Sequence, residues 1–371
     1  MSGDRHGANL ALALKQLDPS VKLVGVGGDL MKKAGVDISV DLSSTSAVGM
    51  FEAIRFVPKI MSSFDKVVEQ IKIEQPDVLV PIDCQGFHMM LLRKVKSLNI
   101  PVVYYISPQE WQWGTEKGGL KVLDVVDKIL AIFPEEARFY RDLGGKAVFV
   151  GHPSLDSVQS TCTKSEFYSR YNISSEKKII SIFPGSRFQE IERVCPTLLA
   201  TLKKMTQRYD TIQPVVSVSH DRFLAKIKNQ IRDIELDHAI LYSDTPYDLI
   251  QQSYFSLITS GTVALEHAIL GTPCIAAYRF SRMTYFLAKT LFRSRLKRIK
   301  YMTLPNLIFD EKVIPEFLQS EMRVEPIFKK ACHLFESPQL TEGMSRKLLE
   351  LGPILGERGV SQRAAREILV L

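Results

Sequence analysis

Three short runs of small residues stand where a chain could meet an anion with its backbone. Ser2-Gly3-Asp4 precedes a helical pattern carrying Leu10 and Leu14, and Pro184-Gly185-Ser186-Arg187 follows the β-rich run Ile179–Phe183. Ser260-Gly261-Thr262 lies between the run Phe255–Thr259 and a helical stretch, Val263–Ile269, that Gly271 ends. Glycine lets the backbone come close to a ligand, and a helix start offers unpaired N–H groups at the positive end of its dipole. Any one such junction serves equally well as a simple helix cap. Two of them after parallel strands of one domain mark the place where open α/β sheets bind ligands. A nucleotide site is therefore expected at Ser186, Arg187, Ser260, Gly261 and Thr262. Glu266, four residues beyond Thr262, would lie about 6 Å further along the helix, a reach that suits a carboxylate bonding ribose hydroxyls. A surface glutamate paired with a nearby base is the plainer alternative.

Acid–base candidates come earlier in the chain. Asp83 ends the β-rich run Asp77–Ile82, and Glu110 stands between Pro108 and Trp111. A helix cap for Asp83 and a salt-bridged loop for Glu110 are the structural alternatives. Trp111 and Trp113, the only tryptophans, alternate in one loop, where they either close a domain edge or stack on sugar rings or acyl chains. His152, in Gly151-His152-Pro153, is a turn residue or a hydrogen-bond donor. The five cysteines (Cys84, Cys162, Cys195, Cys274, Cys332) form no Cys-x-x-Cys pair and the seven histidines show no ligand spacing. No metal and no cofactor are expected, and a reduced cytoplasmic setting is the plain reading. Gly25-Val26-Gly27-Gly28 is not a Gly-x-Gly-x-x-Gly fingerprint, which disfavours hydride transfer.

These loops need elements to hold them. Short β-rich runs alternate with amphipathic stretches in two series, Lys22–Val26 to Val148–Val150 and Ile179–Phe183 to Cys274–Tyr278. Near-continuous apolar strands between helices indicate parallel sheets covered on both faces. The polar stretch Ser157–Lys178 divides the series. The fold class expected is α/β, two doubly wound Rossmann-like parallel-sheet domains facing across a cleft. They would span residues 1–160 and 161–345, with a helix in 346–371 returning to the first domain. The 371 residues carry a net charge of +7, which favours anionic partners. No run reaches the roughly 18 apolar residues of a membrane span. The sharpest shift in composition is Arg279–Lys300, basic and rich in aromatics. It reads as a solvated helix face or as a surface that lies on anionic lipid. Nucleic acid is not expected, because no recognition module accompanies the charge.

Nine segments in register resemble the lipid A disaccharide synthase family. They are Ser2-Gly3-Asp4, Val48-Gly49-Met50, Tyr105-Ile106-Ser107-Pro108, Trp111-Gln112-Trp113, Gly151-His152-Pro153, Pro184-Gly185-Ser186-Arg187, Ser260-Gly261-Thr262 with Glu266, Tyr278-Arg279 and Leu304-Pro305-Asn306. The resemblance implies a GT-B glycosyltransferase that joins UDP-2,3-diacylglucosamine to 2,3-diacylglucosamine 1-phosphate with inversion. It would work in the cytoplasm, peripherally on the inner face of the inner membrane, and as a homodimer. It gives UDP to Ser186, Arg187, Ser260, Gly261, Thr262 and Glu266. Acceptor-side or loop roles fall to Ser2, Asp4, Trp111, Trp113, His152, Arg279 and Asn306. A non-catalytic nucleotide-sugar or lipid-binding relative, or another UDP-GlcNAc enzyme of the fold such as an epimerase, are the alternatives. Three departures stand out. The aspartate that the resemblance implies as base falls at Gly86, so either Asp83 or Glu110 takes the role or the activity is lost. A basic residue after the tryptophan loop is Gly114 here, with Lys117 a substitute. The family's first strand is missing from the start, and the expectation is that the recorded start lies downstream of the true one.

Overall fold

The computed structural model describes residues 2–41, 53–236, 238–280 and 300–370, apart from the side chains of Ser2, Val40, Asp41, residues 53–63 and Trp113. The chain divides into two compact units, Met1–Ser157 with Pro353–Leu371, and Val158–Gly352.

In the first unit β1 (Val24–Gly27) pairs in parallel with β2 (Asp37–Asp41). A second parallel sheet has the order β3 (Val103–Tyr105), β4 (Lys128–Ala131), β5 (Ala147–Phe149). Leu79 and Ile82 bridge in parallel to Val102 and Tyr105, so the run expected as a strand at Asp77–Ile82 does lie beside β3. It is not continuous, and the reason is covalent. Leu79 N–H donates to Pro101 O (2.8 Å) and Tyr105 N–H donates to Pro81 O (2.9 Å), but Pro81 has no N–H to return. The ladder loses one rung there. All of β3 is buried, whereas every residue of β1 is only half-buried.

The helix Ser2–Leu17 buries Leu10 and Leu14 but leaves Leu17 exposed at its end. It is covered by the terminal helix Val360–Leu369, whose inward stripe is Ala364, Ala365 and Ile368. Leu369, next to that stripe, is exposed.

The second unit holds one six-stranded sheet, parallel throughout. Its strands are β6 (Lys178–Phe183), β7 (Ile212–Ser217), β8 (Ile240–Tyr242), β9 (Phe255–Thr259), β10 (Cys274–Tyr278) and β11 (Glu316–Leu318). Their spatial order is β11-β10-β9-β6-β7-β8. The chain runs outward from β6 through β7 and β8, then returns to the other side of β6 with β9. Winding direction therefore reverses between β6 and β9, the point at which such sheets open a crevice at their carboxyl ends. Ile180, Ile182, Leu198, Leu202 and Ile327 are among the fully buried residues that join the sheet to its helices. Burial on both faces is why these strands read as unbroken apolar runs.

Candidate functional site

In the second unit β6 and β9 are hydrogen-bonded neighbours, with Phe183 registered against Ile258. Their carboxyl ends deliver Pro184–Arg187 and Ser260–Thr262 side by side at the reversal point. The helix Thr262–Leu270 starts with Gly261 as its cap residue and no side chain closing its end. Gly261 and Thr262 are exposed, and the space a Cβ at Gly261 would enter is open. That helix end can take an anion. Glu266 lies one turn further on the same helix, half-buried.

The other loop is arranged differently from a free anion cradle. Glu190 is buried, and its carboxylate accepts hydrogen bonds from Ser186 N (2.9 Å) and Arg187 N (3.1 Å). Gly185 has φ +105°, and a Cβ there would meet that same carboxylate. The expectation that these amides face a phosphate is thus corrected, because an internal anion already occupies them. What the loop offers a ligand is the Arg187 guanidinium, 72% exposed, anchored at one end by a 3.2 Å contact with Glu190.

His267 was not flagged by sequence. It is buried, its Nδ1 lies 2.7 Å from Val263 O, and its ring meets Phe183 edge-on at 5.1 Å. Burial lowers its pKa to about 4, so the ring is neutral and ties the end of β6 to the helix after β9. Thr259 Oγ, at the last residue of β9, is buried without a partner among the described residues.

Two residues expected at the ligand serve the scaffold instead. Asn306 is buried with its amide consumed: Nδ2 donates to Ile314 O (2.7 Å) and Glu316 (3.0 Å), and Oδ1 accepts from Ile314 N (2.8 Å). Glu316 also accepts from Met302 N and Thr303 N, at 3.0 and 2.8 Å. Arg279 donates to Met322 O (2.6 Å), closing the turn after β11. Of the basic segment that begins there, residues 281–299 lie outside the described residues.

In the first unit four adjacent chain segments end on one edge. Asp83 follows Ile82, Ser107 closely follows β3, Phe133 closely follows β4, and His152 closely follows β5. Asp83 and Cys84 are both left-handed, with φ 56° and 47°. Asp83 O accepts from Tyr104 OH (2.8 Å) and lies 2.7 Å from His88 Nδ1, which fixes the turn and leaves the carboxylate exposed. Glu110 begins the short helix Glu110–Trp113 and is half-buried; its carboxylate accepts from Gln85 Nε2 (2.8 Å) and Thr115 N (3.3 Å). A Cβ at Gly114 or Gly118 would strike that carboxylate. The absence of a basic side chain at 114 therefore has a steric reason.

Trp111 donates from Nε1 to Gln109 Oε1 (2.9 Å), and its ring lies 5.5 Å from Phe133, which lies 5.2 Å from His152. His152 Nδ1 accepts from Ser154 N (3.2 Å), which leaves the proton on Nε2. Burial pushes its pKa down to about 3, so it is a neutral donor and not a base. The side chain of Trp113 is outside the described residues.

Ser2-Gly3-Asp4 is corrected as well. Ser2, Gly3 and Asp4 are the first turn of the helix Ser2–Leu17 and not a loop ahead of it. The Asp4 carboxylate accepts from Gly28 N (2.8 Å), Leu30 N (3.2 Å) and Met31 N (3.2 Å), capping the helix Asp29–Lys33. Two further residues were not flagged. His6 Nδ1 is buried without a partner among the described residues; burial lowers its pKa and the charge of Asp83 opposes that shift. Glu136 is fully buried and accepts from Ser107 Oγ (2.5 Å), Ile132 N (2.8 Å) and Phe133 N (3.3 Å). Among the described residues no group of three candidate metal ligands occurs.

Two α/β units built on parallel sheets, one with an open helix start at its winding reversal, place this protein in the GT-B class. The chain belongs to the Lipid-A-disaccharide synthetase family, whose model matches residues 1–353. It is 33% identical to the Lipid-A-disaccharide synthase of Geobacter metallireducens over 99% of this chain and 94% of that protein. Against the enzyme of the same name from Syntrophus aciditrophicus it is 30% identical, over 100% of this chain and 95% of the relative. Among solved structures it is similar to UDP-GlcNAc 2-epimerase from Neisseria meningitidis bound to UDP-GlcNAc. That likeness has a TM-score of 0.65 at 12% identity and covers 99% of this chain and 98% of the other. At so low an identity it speaks for the fold alone.

Proposed function

We propose that this chain is an inverting glycosyltransferase that condenses UDP-2,3-diacylglucosamine with 2,3-diacylglucosamine 1-phosphate to the lipid A disaccharide and releases UDP. Family membership over nearly the whole length supports the reaction. The observation that carries the site is the pairing of β6 with β9, which sets Arg187 and the Ser260–Thr262 helix start together at the winding reversal. UDP docks there. As the glycosidic bond to UDP breaks, negative charge grows on the diphosphate, and fixed donors aimed at it lower the barrier. A helix start supplies about 0.3–1 kcal/mol, so the exposed Arg187 carries much of the load. Glu266 holds the ribose. Ser186 contributes only its side chain, since its amide belongs to Glu190.

The acceptor falls to the first unit. Asp83 or Glu110 removes the proton of the attacking hydroxyl, His152 donates from Nε2, and Trp111 offers its ring to the sugar or acyl chain. Acyl chains keep both substrates in a bilayer, since each buried CH₂ is worth about 0.8 kcal/mol. The enzyme therefore works at the cytoplasmic face of the inner membrane, with Arg279–Lys300 against anionic lipid.

A coupling assay with both acylated sugars tests the roles. Asp83→Ala or Glu110→Ala should lower kcat by about 10²-fold or more, the usual worth of a positioned base. Retention of full rate by both, with an active wild type, refutes the base assignment. Arg187→Ala should weaken UDP binding measured by calorimetry; unchanged binding refutes the donor corner.

A further inference from the structure

Among the described residues, ion pairs occupy some of the exposed cations of this chain, from Lys22 with Glu74 to Lys347 with Glu350, and leave others without one. Three of the cations without such a pair lie close together. On the first unit, Arg93 from the helix Gln85–Val95 and Lys117 and Lys121 from the helix Glu116–Leu123 converge on a shallow hollow of about 490 Å³. All three are exposed, and none has a carboxylate within ion-pair distance among the described residues. The one acid in the lining, Asp124, is paired with Lys96 at 2.8 Å, so the hollow keeps a net positive charge.

Leu120 lines the same hollow and is 52% exposed. Met90, 48% exposed, sits three residues before Arg93, on the same face of its helix. Converging cations repel one another, and exposed large apolar side chains lose water contact only when something covers them. An anionic, partly apolar surface relieves both. Lys and Arg lay their stems on such a surface with their charges among headgroup phosphates.

We infer that the Arg93–Lys117–Lys121 hollow, with Leu120 and Met90, is a docking surface for anionic phospholipid. This rests on the reading that the substrates are acylated sugars held in a bilayer. It adds a contact on the first unit to the one proposed for Arg279–Lys300. The placement has a use. The docking helix Glu116–Leu123 is capped by Thr115, whose N–H is bonded to Glu110, so the surface is continuous with the loop carrying Glu110 and Trp111. Docking brings the acceptor loop to the lipid.

The test is flotation of the full chain with vesicles of phosphatidylcholine alone and vesicles rich in phosphatidylglycerol. Arg93→Glu with Lys121→Glu should lower partition onto the anionic vesicles by about tenfold or more, and the milder Arg93→Gln with Lys121→Gln by less. Lys228→Glu with Lys329→Glu, the same charge change on exposed lysines of the second unit, should stay within about twofold of wild type. Leu120→Ser should reduce the binding that survives high salt. Arg279–Lys300 is intact in every variant, so the differences report on the hollow. Equal partition of the Arg93/Lys121 variants and wild type overturns the proposal, and so does an equal loss in the control, which would mean bulk charge alone. Displacement by inorganic phosphate beyond that by sodium chloride of matched ionic strength also overturns it, since the hollow would then be a small-anion site. Flotation needs no turnover, so these failures leave the transferase reading untouched.

Discussion

At the scale of single residues, what separates ligand groups from scaffold groups is where their polar atoms are already spent. Asp4, Asn306 and Arg279 were legible as polar residues in suggestive motifs, but their partners were not. Asp4 caps amides 24 residues away, and Arg279 closes a turn 43 residues on. Those pairings exist only once the strands are laid side by side. The left-handed turn at Asp83 and Cys84 and the neutral state of His152 are equally tertiary, set by Tyr104 and by burial. Gly86 is the opposite case, a departure visible in sequence whose surroundings the structure supplies. It is exposed as the second residue of the helix Gln85–Val95, and a Cβ there would meet nothing within 4 Å. Gly86→Asp therefore fits without displacement. It should raise stability by about 0.5–1 kcal/mol in urea unfolding, because a helical glycine is replaced and a carboxylate gained near a helix start. If the acceptor proton leaves at this edge, kcat in the coupling assay should also rise by about tenfold or more. An unchanged kcat assigns the proton to a group already present.

At the scale of elements, the parallel strands were legible because burial on both faces writes them as apolar runs; β9 and β10 begin and end where the pattern does. The misses have physical causes. Pro81 divides one expected strand, β2 is the polar run Asp-Ile-Ser-Val-Asp, and β11 is only three residues long. Junctions between elements were less legible still, and Glu136 shows why. One buried carboxylate holds the end of β4 to Ser107, and Tyr140, one turn later on the same helix, donates to Pro108 O (2.8 Å). Together they fix the loop that leads to Glu110. Burial raises the Glu136 pKa from 4.5 to about 7. A carboxyl whose folded pKa is raised binds its proton more tightly in the native state. Its stabilisation is full below the unfolded value and is lost as pH rises through the folded one, by up to about 3 kcal/mol. Wild type should thus lose stability relative to Glu136→Gln as pH rises from about 4.5 to about 7 in paired thermal melts. Parallel curves would show that Glu136 stays ionised.

At the scale of the molecule, the chain leaves the first unit at Ser157 and comes back to it at Pro353. The return is held by a carboxylate from the point of departure. Asp156 accepts from Gly359 N (2.7 Å), Val360 N (3.1 Å) and Ser361 N (2.9 Å), capping the terminal helix, while Arg363 donates to Val150 O (2.9 Å). Asp156→Ala should cost the first unit about 1–2 kcal/mol, with faster hydrogen exchange over Val360–Leu369 and unchanged protection in β6 and β9. Equal loss of protection in both units would mean that they unfold as one. If they unfold separately, acid should tell them apart. His267 in the second unit and His152 in the first are held neutral, with pKa values near 4 and 3 against 6.5 when unfolded. Below 6.5 the unfolded chain takes up protons that the native histidines refuse, so each destabilises its unit by up to a few kcal/mol as pH falls towards its folded value. In the first unit burial also holds His6 and His88 below their ordinary value and adds to that loss, while Glu136 acts with the opposite sign over about pH 7 to 4.5 and offsets part of it. The second unit has no such counterweight from a raised carboxyl among its described groups. Acid titration followed by hydrogen exchange should therefore find the protection of β3–β5 falling more steeply towards low pH in Glu136→Gln than in wild type, with β6–β9 alike in both. Equal slopes in β3–β5 would refute the assignment of Glu136 as a titrating group.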